Sequence, residues 1–191
     1  MLSYLKYLLQ LLLVPSSGWD DIAQSSPDPA MLLRRGFYPL LAVVALSEFC
    51  GLLYNKGLSV DTVILRAIVD LGTYFVSYYL ARIAFEMYIR PLSIASAADS
   101  SDRSDAIASR SLSLILFALG EMLIFRFIAN ILQADITIIK FLPLYLILIL
   151  YKARGFMNIR NDSVMNFTCL AAVATILIPL ILHYILSAIL L

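Results

Sequence analysis

Seven ionisable side chains stand within long apolar stretches of this sequence, where charge is costly. They are Glu48, Arg66, Asp70, Arg82, Glu86, Glu121 and Arg126. On insertion scales a charge at the bilayer centre costs roughly 2.5–3.5 kcal/mol, so these side chains should face protein or a hydrated cavity rather than lipid. With them the chain could bind a polar solute, or it could hold its own helices together.

Two pairs of these residues have the spacing of neighbours on one helix face. Arg66 and Asp70 are four residues apart, and so are Arg82 and Glu86. Residues four apart lie one above the other on a helix, so each pair can neutralise itself locally. Arg82 and Glu86 form a second candidate pair, set deeper toward the cytoplasmic half of the membrane.

The remaining charges need partners on other helices. Glu121 and Arg126 are five residues apart, which is poor spacing for a pair within one helix. Depth along the predicted spans indicates one polar cluster between spans one, two and three, with Glu121 near mid-membrane. The candidate intramembrane polar cluster consists of Glu48, Arg66, Asp70, Glu121 and Arg126.

This cluster has two interpretations. It can line a polar path or binding cavity, as in a small transporter, a channel or a lipid-handling protein. Alternatively, its members are internal ion pairs that fix helix register, with arginine side chains reaching toward the membrane surface. The sequence leaves both open.

Motifs of common enzymes are absent from the sequence. It has no His-Glu-x-x-His metal motif, no Gly-x-Ser-x-Gly nucleophile motif and no glycine-rich phosphate loop. A lone histidine such as His183, near the outer end of a span, is more typical of the membrane interface than of a metal site. We therefore expect no enzyme, no catalytic residue, no cofactor and no metal.

Composition identifies the solvent in which these charges must be placed. Of the 191 residues, 62% are hydrophobic and 14% are charged, against about 45–50% and about 25% in ordinary soluble domains. A soluble globule of this size could not bury so much apolar surface. The net charge of +1 gives no indication of nucleic acid as a partner.

Hydropathy predicts an all-α integral membrane protein with five transmembrane helices in one bundle. The predicted spans are 37–54, 63–88, 112–132, 136–151 and 167–191. They form the transmembrane domain 37–191, which follows a cytoplasmic N-terminal segment, 1–36.

The N-terminal segment has the pattern of an amphipathic helix over residues 2–14. Ser3, Lys6 and Gln10 share one narrow face, and leucines fill the opposite one. This pattern predicts a helix lying in the membrane interface. Pro15 should end it, and Trp19 suits the headgroup level.

The distribution of basic residues predicts the orientation. Nine lie on the side of the N-terminus: Lys6, Arg34, Arg35, Arg90, Arg103, Arg110, Lys152, Arg154 and Arg160. Two, Lys56 and Lys140, lie on the other side. The positive-inside rule therefore places the N-terminus in the cytoplasm and the C-terminus outside.

Several short segments, taken in their order along the chain, resemble the Yip family of five-span membrane proteins. The family is named for members that interact with Ypt/Rab GTPases. The opening Val14–Ile22 (VPSSGWDDI) has a proline, an aromatic residue and an isoleucine at the family's spacing. Leu142–Tyr145 and Tyr151–Phe156 resemble the fourth span and the glycine-containing turn after it, and Asn166–Thr168 resembles the entry to the last span.

The resemblance implies a non-enzymatic membrane scaffold or organiser, and the short length is similar to bacterial members of the family. The implied location is the bacterial cytoplasmic (inner) membrane. Expected partners are membrane lipid and other membrane proteins or a second copy of the chain, with no nucleic acid.

Overall fold

The computed structural model describes residues 1–93, 101–132 and 137–191, and the regular elements in these ranges are helices. They are α1 (Leu2–Leu13), α2 (Pro15–Ser25), α3 (Pro29–Tyr54), α4 (Val60–Ile89), α5 (Ser101–Leu132), α6 (Thr137–Lys152) and α7 (Asn161–Leu190). The predicted all-α class is confirmed for the described part of the chain.

Four of the described helices are long and apolar enough to cross a membrane: α3, α4, α7 and the Asp105–Leu132 part of α5. They contain 26, 30, 30 and 28 residues, more than the ~20 that cross a hydrocarbon core of ~30 Å. The predicted fourth span corresponds to α6, whose 16 residues reach only about 24 Å. The first residue of that predicted span, Ile136, lies outside the described residues.

Helix α3 begins well before the predicted first span because its start is capped. The carboxylate of Asp28 accepts a hydrogen bond from the Ala30 amide at 3.1 Å. Pro29 occupies the first turn, where its missing N–H removes no helical bond. Arg34 and Arg35 follow within the helix. Their charge lowers the local hydropathy, so the hydropathy of the sequence did not reveal this start.

Three helices widen into a π-helical turn just before a proline. The turns are Leu33–Phe37, Phe85–Ile89 and Val173–Leu177, and the prolines are Pro39, Pro91 and Pro179. Proline cannot donate the bond that closes the preceding turn, and its ring presses on the carbonyl four residues back. The wider turn relieves this crowding, so α3 and α7 continue through their prolines as long helices.

The N-terminal helix α1 packs its apolar face against α5. It buries Tyr4, Leu8 and Leu11 at the spacing of one helix face. The Tyr4 hydroxyl donates a hydrogen bond to the Leu116 carbonyl at 2.6 Å. Other leucines of α1 stay exposed, so protein covers only part of the apolar face that the sequence assigned to the membrane interface.

Helix α2 and the end of α1 pack against α6. The Trp19 indole donates to the Ile149 carbonyl at 2.9 Å and stacks on Phe156 with 5.1 Å between ring centroids. The Tyr145 hydroxyl donates to the Leu12 carbonyl in the last turn of α1 at 2.9 Å. Trp19 is 2% exposed, so it is a buried anchor between elements, and its predicted depth at the headgroup level stays a prediction.

The chain after α6 returns to the end of the bundle where α4 ends and α5 begins. The Ser93 hydroxyl donates to the Met157 carbonyl at 3.0 Å, and the Arg110 guanidinium donates to the Phe156 carbonyl at 3.2 Å. The opposite end of the bundle, where α5 and α7 finish, carries a group of charged side chains.

The packing of α1 against α5 can be tested at Gly120. A Cβ at Gly120 would overlap the Tyr4 hydroxyl, whereas one at Gly155 would meet nothing within 4 Å. We expect Gly120→Ala to lower the free energy of unfolding by about 1–3 kcal/mol through overpacking, and Gly155→Ala to leave it nearly unchanged. Thermal unfolding in detergent measures both. Equal effects of the two substitutions, or no relief of the Gly120→Ala defect by Tyr4→Phe, would contradict this packing.

Candidate functional site

Arg126 in α5 joins three helices through two ion pairs. Its Nη2 lies 2.9 Å from Glu48 Oε1 in α3, and its Nε lies 3.0 Å from Asp70 Oδ2 in α4. Glu48 and Asp70 are buried, while 29% of the Arg126 side chain stays exposed. The planar guanidinium serves the two carboxylates with two separate nitrogens held in a fixed geometry. We refer to these three side chains as the Arg126 cluster.

Helix α7 brings a fourth side chain to the cluster. His183 Nδ1 lies 3.4 Å from Asp70 Oδ1, an ion-pair distance without hydrogen-bond geometry, because Asp70 Oδ1 has no hydrogen-bond partner among the described residues. The interfacial depth that the sequence suggested for His183 stays a prediction. No sequence signal identified the contact, since it depends on how α7 aligns with α4.

A neutral hydrogen-bond chain flanks the charges. The Asn130 amide donates to the Ser47 hydroxyl at 3.0 Å, and Ser47 donates to the Val44 carbonyl at 2.6 Å. This chain links α5 to α3 beside the Arg126–Glu48 contact, so two separate polar contacts align the same two helices.

A cavity of about 340 Å³ adjoins the Arg126 cluster at the end of the bundle where α5 and α7 finish. Its polar lining consists of Glu48, Arg66, Arg126, Asn130, His183 and Ser187. The volume falls within the range of ~300–1,000 Å³ that is usual for small-molecule sites. The lining combines cationic, anionic and neutral hydrogen-bonding groups, so the cavity is suited to a polar occupant.

Arg66 lines this cavity without the local partner that its spacing predicted. Asp70, one turn further along α4, faces Arg126. Arg66 is half-buried and makes no ion pair within the described part of the chain. Packing explains the difference, because Asp70 is buried where α4 meets α5, whereas Arg66, one turn nearer the start of α4, lies beside the opening.

Glu121 does not belong to the cluster, although the sequence grouped it there. It is fully buried, and neither carboxylate oxygen has a hydrogen-bond partner among the described residues. Its neighbour is Tyr4 of α1, whose pKa is raised well above its usual value by burial and by the Glu121 charge. Glu121 is five positions before Arg126, which turns it to a different face of α5.

Arg82 and Glu86 lie on the surface near the C-terminal end of α4. Both are exposed, and they border a small crevice with Phe85 and Ser111. They form no ion pair with each other at 4 Å or less. An exposed pair gains little from contact because its charges stay solvated, so this candidate pair stands apart from the Arg126 cluster.

Among the described residues, no group of three or more histidine, cysteine, aspartate or glutamate side chains could hold a metal ion. Comparison of the chain with protein-family models, with curated proteins and with solved structures finds no match.

The Arg126 ion pairs predict unequal effects for two arginines. We expect Arg126→Ala to lower the free energy of unfolding by about 3–5 kcal/mol, since it leaves two buried carboxylates without a cation. Arg82→Ala removes an exposed guanidinium from a neighbouring helix and should change stability by less than about 0.5 kcal/mol. Denaturation of both purified variants in the same detergent provides the measurement. Comparable losses would show that Arg126 does not hold the helices.

Removal of the Glu121 carboxyl is expected to raise the stability of the protein. Glu121→Met replaces a buried carboxyl that lacks a partner and should stabilise the protein by about 1–3 kcal/mol. The same substitution at Glu48 should destabilise it, because Arg126 then loses one of its two acceptors. Unfolding midpoints of the two variants decide the matter, and a Glu121→Met protein less stable than the parent would refute the assignment of an unpartnered carboxyl.

Proposed function

We propose that this chain is a non-enzymatic five-span membrane protein that binds a small polar ligand in the cavity beside the Arg126 cluster, as a lipid-handling or transport protein would. The observation that carries this proposal is a cavity lined by Glu48, Arg66 and His183 between helices long enough to cross a membrane. Purely structural ion pairs would be expected to fill their surroundings and leave no such opening.

The arrangement of charges supports a binding role. Arg126 contacts both carboxylates, and these contacts fix the position of its guanidinium in that wall of the cavity. Arg66, His183 and Ser187 line the cavity from α4 and α7. A guanidinium fixed opposite groups that still have bonding capacity is the arrangement of a preorganised site.

The proposed membrane arrangement adds α6 as the fifth crossing. Contacts of Met157 and Phe156 with residues at the end of α4 and the start of α5 support it, because α6 would then run antiparallel to α5. The excess of basic residues supports a cytoplasmic N-terminus and an outer C-terminus. In a bacterial cytoplasmic membrane, as the Yip resemblance implies, the cavity would open toward the outer face.

The second candidate is a scaffold or organiser of Yip type. The specific observation in its favour is that Glu48 and Asp70 both pair with Arg126 and so link α3, α4 and α5. In that case the charges only fix helix register, and function lies on surfaces that meet other membrane proteins.

Aqueous access to the cavity separates the two candidates. In a variant lacking Cys50 and Cys169, we expect Ser187→Cys to react from the outside with a charged, membrane-impermeant thiol reagent, because Ser187 lines the cavity. Ala188→Cys is the matched control, since it has almost the same depth on α7 but lies outside the cavity lining, on a surface that would face lipid in the proposed arrangement.

The expected result is rapid labelling at position 187 and labelling at least tenfold slower at 188. Equal rates at the two positions, or no labelling at 187 from the outside, would reject the cavity and leave the scaffold.

A further inference from the structure

Not every charged group around the cavity forms an ion pair with a single partner of opposite sign. In the Arg126 cluster one guanidinium faces two carboxylates, which leaves one negative charge in excess when His183 is uncharged. Arg66 adds one positive charge that attracts Glu48 across the cavity lining but makes no ion pair at 4 Å or less among the described residues. Glu48 and Arg66 both line the cavity, so the two unbalanced charges border the same space.

A ligand of a single sign could satisfy only one of these charges. An anion would neutralise Arg66 and leave the excess negative charge of the cluster. A cation would do the reverse. Charges in a partly dehydrated site gain most when each has a partner of opposite sign.

We infer that the cavity binds a small zwitterion, with its phosphate or carboxylate against Arg66 and its protonated primary amine against Glu48. This inference rests on the proposed function and names the ligand class of the same site. A guanidinium binds phosphate and carboxylate through paired donors, and a carboxylate accepts hydrogen bonds from an ammonium group. Ser187 and His183 provide further polar contacts on the α7 side.

The cavity size limits the ligand. A volume of about 340 Å³ admits a free amino acid or the headgroup of an amine-bearing phospholipid. Acyl chains would have to leave through the opening and lie along the outer surface of the helices. The free solute and the headgroup present the same chemistry to Arg66 and Glu48, and the experiment distinguishes the two sources.

The test is equilibrium binding to the full chain in phosphatidylcholine nanodiscs, with radiolabelled O-phosphoethanolamine and β-alanine as probes. We expect saturable binding of at least one probe. Unlabelled phosphatidylethanolamine in the nanodisc should compete if the natural source is lipid, and should fail to compete if it is a free solute. Inorganic phosphate and ethanolamine, which carry one charged group each, should compete at least tenfold more weakly than the zwitterion.

Substitutions of two arginines in α4 test the anion contact. Arg66→Gln should weaken binding at least tenfold, whereas Arg82→Gln should leave it unchanged because Arg82 is outside the cavity lining. Glu48→Gln should abolish the preference for the zwitterion over inorganic phosphate. If this variant does not fold, the competition series still tests the amine contact.

Three results would overturn the inference: equal competition by inorganic phosphate, equal losses in the two arginine variants, or no binding of either probe. If the Ser187→Cys labelling is nevertheless seen from the outside, the cavity and the proposed function stand and only the ligand class fails. If that labelling is also absent, the proposed function fails with it.

Discussion

The contact of Arg126 with Glu48 and Asp70 is the interaction on which the rest of the site depends. In a medium of low dielectric constant, charges of opposite sign stay ionised only when they are close and well hydrogen-bonded. The distances of 2.9 and 3.0 Å meet that condition. They also require α3, α4 and α5 to keep one axial alignment, because a shift by one turn would separate each pair by about 5.4 Å.

This alignment produces both the cavity and its polarity. With Asp70 turned toward α5, Arg66 stands one turn away at the opening, and α7 completes the wall with His183 and Ser187. The N-terminal helices pack on α5 further from the cluster, where the Tyr4 hydroxyl donates to the Leu116 carbonyl. A local charge network thus sets the helix register, and the register sets which groups face the cavity.

Local patterns predicted the helices well and their contacts less well. Hydropathy located the four long helices, because the apolar stretch itself is the signal, but it missed the start of α3, which a cap at Asp28 determines. Depth along the spans correctly brought Glu48, Asp70 and Arg126 together. The spacing rule failed for Arg66 and Asp70, since a contact between helices outweighed one within a helix. Glu121 and His183 could not be assigned from the sequence, because the face that each presents depends on helix rotation.

The most direct test of this account is an experimental structure of the full chain in a lipid nanodisc, at a resolution that shows ordered water. We expect Arg126 to contact both Glu48 and Asp70, and water or ligand density to occupy the cavity beside Arg66. A structure in which Arg66 pairs with Asp70, or in which side chains or acyl chains fill that space, would contradict the central claim.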